Sequence, residues 1–462
     1  MSVKKFVSAL FALALIGGLL AACAAPAPAT PQTIEVTKIV AGTPVTEQVV
    51  VTATPQATAN PYDDKAPITV WIDQVRQPQF DAFVKANPDK ASLVKAVIVD
   101  REQFPAKVLL FNNTNQGWPD VVFAEPRLVA RVADAAHNFP LDLTGWVPAD
   151  TIKNYSAMDN CTFDGKVYCL RNDTAQFVVY SNAPLMKQFG YTVPTTWEDY
   201  QALSDKVAKE HPGYYLGTFG DGWTVLSFFE ASGCPSHQLV DANTLNINMA
   251  DPKCTRAASL VDHMIANKTL FNTDFFNADW DKLITNNKVL LFEGPAWMWG
   301  SFGGTKGSWW ETADHQLGVS TPFKWAADPA PMVAAMGGGG WMVSRHTKNP
   351  KLAVDLITFV TEDKTLWTGT VNFPAYKPIQ SLWQQAVSGN ALFANDPFPV
   401  MQAAADQISA LDNWPRFDLI SPLTQFAQDT YQKKLTVSGN LSEIPTLFTP
   451  LAEAQGYTVV SK

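Results

Sequence analysis

The sequence predicts an α/β protein of two lobes. Short β-branched or aromatic runs alternate with helical stretches from Pro67 onward, the pattern of sheets covered by helices. The chain has 462 residues. With the first 61 set aside as export signal and tether, about 400 remain, more than one domain normally holds. That stretch contains no repeat of solenoid length and no second hydrophobic span.

Met1 to Lys5 is a short positive region and Phe6 to Leu20 an apolar one, too short and too poorly flanked for a spanning helix. Residues 1–22 are therefore expected to be a signal peptide. Its small-residue site, Leu20-Ala-Ala-Cys23, resembles a bacterial lipoprotein signal, which implies an acylated Cys23 that anchors the protein to the outer face of the cell membrane. Two or three acyl chains hold far more firmly than one, at roughly 0.8 kcal/mol per buried methylene. Residues 23–61 are rich in Pro, Ala, Thr and Val, and no aromatic residue occurs between Phe11 and Tyr62, so a disordered tether is expected. Its echo, Val36-Thr-Lys-Ile-Val and Val45-Thr-Glu-Gln-Val, leaves room for transient strands.

Ile68-Thr-Val-Trp-Ile72, Val94 to Val99 and Val121-Val-Phe123 read as strands, and Phe80 to Val84 begins a helix. Cys161 to Cys169 reads as a hairpin whose loop, Asp164-Gly165-Lys166, sets Thr162 opposite Tyr168 and Cys161 opposite Cys169. Apart from Cys23 the cysteines are Cys161, Cys169, Cys234 and Cys254, an even set in an exported chain. Three pairings are open, and proximity favours Cys161 with Cys169 and Cys234 with Cys254, closing loops worth roughly 2.5 and 3.3 kcal/mol. No Cys-x-x-Cys pair accompanies them and the six histidines are scattered singly, so no metal and no cofactor is expected. Thr195-Thr-Trp-Glu198 is a capping box ahead of a face of Tyr200, Leu203 and Val207. Pro350 opens a helix with the stripe Leu352, Leu356, Phe359 and Val360.

Losing Lys4 and Lys5 with the signal takes the net charge from −9 to −11, which argues against nucleic acid or anionic lipid as partners. Charged residues make up only 17%, while there are 15 tryptophans, a composition suited to neutral, ring-shaped ligands. Three clusters hold the candidates. Gly337 to Gly340 runs into the strand Trp341-Met-Val-Ser344, whereas a phosphate-cradling loop needs a helix there; the glycines allow close backbone approach or soft dihedrals between lobes. Gly294-Pro295 turns Trp297 or Trp299 out of an apolar strand. Gly220-Asp-Gly-Trp223 puts a tryptophan on a turn.

Taken in order, these landmarks resemble the extracellular solute-binding proteins of ABC importers, in the oligosaccharide-binding branch that includes the maltose-binding protein. The resemblance runs through Ile68 to Asp73, Trp118-Pro-Asp-Val-Val-Phe123, Gly165-Lys-Val-Tyr168, Asp173-Thr174, Val179-Tyr-Ser-Asn182, Pro194 to Glu198, Gly294-Pro295, Gly337 to Trp341, Lys348-Asn-Pro350 and Pro374-Ala-Tyr-Lys-Pro378. It implies a type II periplasmic-binding-protein-like fold: two α/β lobes joined by a three-segment hinge, with the ligand in the cleft between them. The implied amino-terminal lobe is 62–174 with 341–375, and the carboxy-terminal lobe 175–340 with 376–462. Asp73 and Arg76, then Glu125 and Arg127, are the implied hydrogen-bonding groups for sugar hydroxyls, Asp173 sits at the first crossing, and Trp297 is the implied stacking ring. Trp223, Gly339, Gly340 and Trp341 complete the candidate site.

The expected function is capture of a sugar by lobe closure and delivery to an ABC permease in the membrane, by a monomer without catalysis. Competing classes are an exported glycan-cleaving enzyme, which needs two carboxylates about 5–9.5 Å apart, and a cell-wall adhesin. Neither Gly-x-Ser-x-Gly nor His-Glu-x-x-His occurs.

Overall fold

The computed structural model describes residues 32–40, 43–51 and 62–462, apart from 135, 304–307, 311–315, 369 and 409–412. The chain divides after Pro61. In the first unit Gln32–Val40 and Thr43–Val51 pair antiparallel, with Lys38 opposite Val45, so the two copies of the echo form a ribbon. Residues 1–31, Cys23 among them, lie outside the described residues.

In the second unit the strands β1 Ile68–Ile72, β2 Val94–Ile98, β3 Val121–Ala124, β4 Leu170–Arg171, β5 Phe177–Asn182, β6 Leu291–Pro295, β7 Leu317–Ser320 and β8 Gly340–Val343 build two principal sheets. The first runs β2-β1-β3-β8-β4 and the second β6-β5-β7. β1, β2 and β3 are parallel, and β8 lies antiparallel between β3 and β4, with Trp341 opposite Phe123. The expected strands therefore appear within a residue of their predicted ends.

Helices α1 Gln77–Ala86, α2 Pro126–Val132, α3 Trp197–Glu210, α4 Gly222–Ser232 and α5 Pro350–Glu362 frame these sheets. Asn349 caps α5 by accepting from Leu352 N at 3.1 Å. Its stripe is buried at Leu352, Leu356 and Val360, while half-buried Phe359 meets Phe83 of α1 edge-on at 5.5 Å. The cap of α3 falls one residue later than predicted: Thr196 accepts from Asp199 N at 3.0 Å, and Glu198 is drawn away to accept from Ala326 N. The hairpin is also tighter than predicted. Asp164 and Gly165 both take positive φ, at 52° and 73°, the two-residue turn that matches strand twist, so Thr162 faces Val167. Cys161 then reaches Cys169 diagonally with Cα atoms 4.9 Å apart, and Cys234 joins Cys254 at 4.6 Å, the two disulfides that proximity favoured.

Three segments pass between the sheets side by side. Residues 172–176 run in the middle, where Asn172 N bonds to Gly339 O, Met336 N to Ala175 O and Thr174 N to Phe373 O. Buried Arg171 donates to the carbonyls of Asp173, Thr174 and Ala157, tying the first crossing to the first sheet.

Candidate ligand-binding cleft

A cavity of about 380 Å³ opens beside the three crossings, within the range of small-molecule sites. From the crossings come Asp173, Met336, Gly337, Gly338, Val371 and Asn372. The first sheet contributes the loops after its parallel strands: Val75 and Arg76 follow β1, Arg101 follows β2, and Glu125 and Arg127 follow β3. Carboxyl ends of parallel strands are where such sheets place ligands. Facing them are Trp223, Phe276 and Trp297, all from the stretch between the first two crossings.

The charged wall is a closed network. Asp73, capping the turn after β1, accepts from Arg76 N at 3.1 Å and pairs with Arg76 at 3.4 Å and Arg101 at 3.0 Å. Arg101 also reaches Glu125 at 2.8 Å, and Arg127 bridges Glu125, at 2.9 Å, to Glu102. Arg76 lies 4.0 Å over the Phe123 ring. The hydrogen bond from Arg127 holds the Glu102 carboxyl below its usual range. Burial disfavours the charge on Arg127, but Glu102 and Glu125 outweigh it, so its proton is held more tightly than usual. Asp73 does not line the cavity; it positions the two arginines that do.

Asp173 ties the crossings together. Its Oδ1 accepts from Gly339 N at 3.2 Å and Asn172 Nδ2 at 2.9 Å, its Oδ2 accepts from Asn372 Nδ2 at 2.7 Å, and Arg76 stands 3.7 Å away. One buried carboxylate thus holds all three segments at the cavity floor.

The aromatic wall resolves the choice between two tryptophans. Trp297 donates to Met336 O at 2.9 Å and lies parallel to the Phe276 ring at 6.1 Å, tilted by 9°. Trp299 turns inward, donating to Val371 O and packing on Phe393 and Trp383. Trp223 sits in the first turn of α4 rather than on a free turn, because Asp221 and Thr224 form a reciprocal cap.

Three other candidates do not reach the cavity. Trp341 is fully buried between β3 and β4, its indole N–H donating to Asn172 at 3.0 Å, because β8 is covered on both faces. A Cβ on Gly339 would stand 2.0 Å from the Phe123 ring, and one on Gly340 2.6 Å from Cys169 Sγ, so these glycines admit core side chains and not ligand. Gly337 and Gly338, with φ of 83° and 69°, are the pair that bends the backbone into the cavity floor. Sequence reasoning missed Arg101, Phe276 and Asn372. Arg101 had a signal in its place just beyond a predicted parallel strand; Phe276 and Asn372 had none.

A fold with two sheets, three crossings and a ligand-sized cavity at their junction is that of a solute-binding protein. The sequence matches the family described as bacterial extracellular solute-binding protein over residues 79–368, and the chain belongs to that family. It is 25% identical over 239 residues to a protein of Deinococcus radiodurans named "Probable ABC transporter-binding protein", covering 48% of this chain and 54% of that one, so the alignment spans about half the length of that relative. It is 22% identical over 318 residues to the maltodextrin-binding protein MdxE of Bacillus subtilis, covering 65% of this chain and 70% of that one. Among solved structures, it is similar to the galacto-N-biose/lacto-N-biose I-binding protein of Bifidobacterium longum in complex with lacto-N-biose. There the TM-score is 0.67 at 17% identity, covering 86% of this chain and all of the other. The ABC transporter-associated binding protein of B. animalis subsp. lactis in complex with β-1,6-galactobiose also gives 0.67, at 19% identity over 87% of this chain and 100% of that one. The fold is thus the type II periplasmic-binding-protein arrangement, and the family places the protein outside the cytoplasm.

Proposed function

We propose that the protein captures an uncharged oligosaccharide for an ABC importer by closing its two lobes, 62–174 with 341–375 and 175–340 with 376–462, and delivers it to a membrane permease. The observation that carries this is the pairing of two walls across one cavity: flat Trp297 beside Phe276, and a set of arginines and carboxylates already paired with one another. A pyranose has apolar C–H faces and a hydroxyl rim. Covering about 50 Å² of C–H surface contributes roughly 1.2 kcal/mol per ring, and fixed carboxylates and guanidiniums serve hydroxyls without needing a charged ligand. Glu125 and Asp173, the two carboxylates of the lining, are both engaged by neighbouring donors, an arrangement of acceptors held in place for binding rather than an acid and base facing a scissile bond. The names of the relatives, which bind maltodextrin, lacto-N-biose and β-1,6-galactobiose, support the same class of ligand.

A glycan array followed by thermal-shift titration tests the reading, because a ligand at a hundred times its dissociation constant adds about 2.7 kcal/mol. Trp297→Ala should weaken the best binder about five- to 150-fold. Absence of any sugar that raises the melting temperature refutes the reading. Anchoring through Cys23 is part of the proposal: Cys23→Ser should release the protein to the medium or leave it unprocessed, and a processed variant still bound to membranes excludes the anchor.

A further inference from the structure

A second cavity, of about 430 Å³, lies next to the first. Two shared elements establish the adjacency. Along α2, Arg127 faces the first cavity, while Ala130 and, just past the helix end, Asp134 face the second, three and seven residues further on and so on neighbouring turns of one face. Across from them, Trp223 of the first cavity and Trp414 of the second meet edge-on with centroids 5.5 Å apart. The two cavities thus share a wall where these tryptophans meet.

The second cavity, like the first, sets aromatic rings beside charged groups, here with carboxylates in excess. Phe163, Trp414 and Tyr457 supply rings, with the Arg416 guanidinium 4.3 Å over Tyr457. Asp134, Asp164 and Asp241 stand against that single arginine, a balance that disfavours an anionic occupant. Asn413 Oδ1 is buried there with no hydrogen-bond partner, an acceptor left for a hydroxyl. The walls come from both sides of the crossings: Phe163 and Asp164 precede the first crossing, and Leu239 to Asn243 follow it.

We propose that this second cavity is a further carbohydrate subsite, which takes the glycosyl units of an uncharged oligosaccharide extending past Trp223. The inference rests on the reading of the first cavity as a sugar site, and it makes the cognate ligand longer than a disaccharide.

Isothermal titration with two ladders, maltodextrins and β-1,6-galacto-oligosaccharides of two to five rings, tests it. In the unaltered protein one ladder should gain at least about tenfold in affinity between two and four rings. Ala242→Trp, at an exposed hairpin turn lining the second cavity, adds bulk there and should erase that gain while leaving the disaccharide within about twofold. Asn413→Ala removes an unpartnered oxygen, so it should cost affinity for the four-ring sugar without lowering the melting temperature. No gain with length, or a gain that survives both substitutions, overturns the subsite and leaves the first-cavity reading intact. Failure of both ladders together with the whole glycan array overturns both.

Discussion

Trp297 and Trp341 look alike in sequence, each shortly after a glycine, and the structure gives them opposite work. The difference is coverage: β8 has neighbours on both edges and both faces, so Trp341 has no route to solvent, whereas Trp297 leaves the end of β6 at the cavity edge. Trp341→Ala should therefore lower unfolding free energy by roughly 3–5 kcal/mol in a urea titration, with the affinity of the folded fraction for sugar unchanged. An affinity loss at unchanged stability would return Trp341 to the site. Trp383 is likewise fully buried, packed against Phe373. The family resemblance pointed to Arg76, Glu125, Arg127, Asp173 and Trp297, and the turn motif to Trp223, all of which line the cavity. Neither could separate Asp73, which holds arginines, from groups that face the ligand, because that depends on which partner each side chain meets.

Strands, helices and disulfides were legible because local periods and short separations set them. Caps and turns shifted by a residue, because Asp164-Gly165 and Thr196 obey backbone geometry that a simple motif does not specify. Glu293 was not legible at all. It lies mid-strand in β6, its carboxyl among Trp197, Tyr200, Phe228, Phe275 and Phe292, and accepts from Phe323 N at 3.0 Å. Burial pushes it up from 4.5 to about 8. The folded state thus binds a proton that the unfolded chain releases near 4.5, so this contribution to stability is full below that pH and is lost as pH rises through about 8. Its slope is at most about 1.4 kcal/mol per pH unit, and less in practice because the residue is only partly covered. Denaturant titrations at pH 5 and pH 9 should show a smaller fall in stability for Glu293→Gln than for the unaltered protein. Equal falls would mean that Glu293 is charged in the fold.

At the scale of the whole molecule, the order of landmarks from Ile68 to Pro378 made the two-lobed architecture readable, because each crossing carries its own sequence mark. The second cavity was unreadable, since Ala133, Ala242 and Trp414 come together only through tertiary packing. If ligand contacts both lobes, it favours closure by its differential affinity for the closed form. Solution scattering should then show a smaller radius of gyration when the bound oligosaccharide is added, and an unchanged radius at saturation would exclude closure. The place of β8 has a different consequence, for the newborn chain. The strand that fills the gap between β3 and β4 is made only after the whole second sheet, so Phe123 waits for Trp341. At a synthesis rate of roughly 5–20 residues per second that wait lasts on the order of ten seconds or more. Throughout it the flank of β3 lacks its partner, an unpaired strand edge that persists until most of the polypeptide has been made.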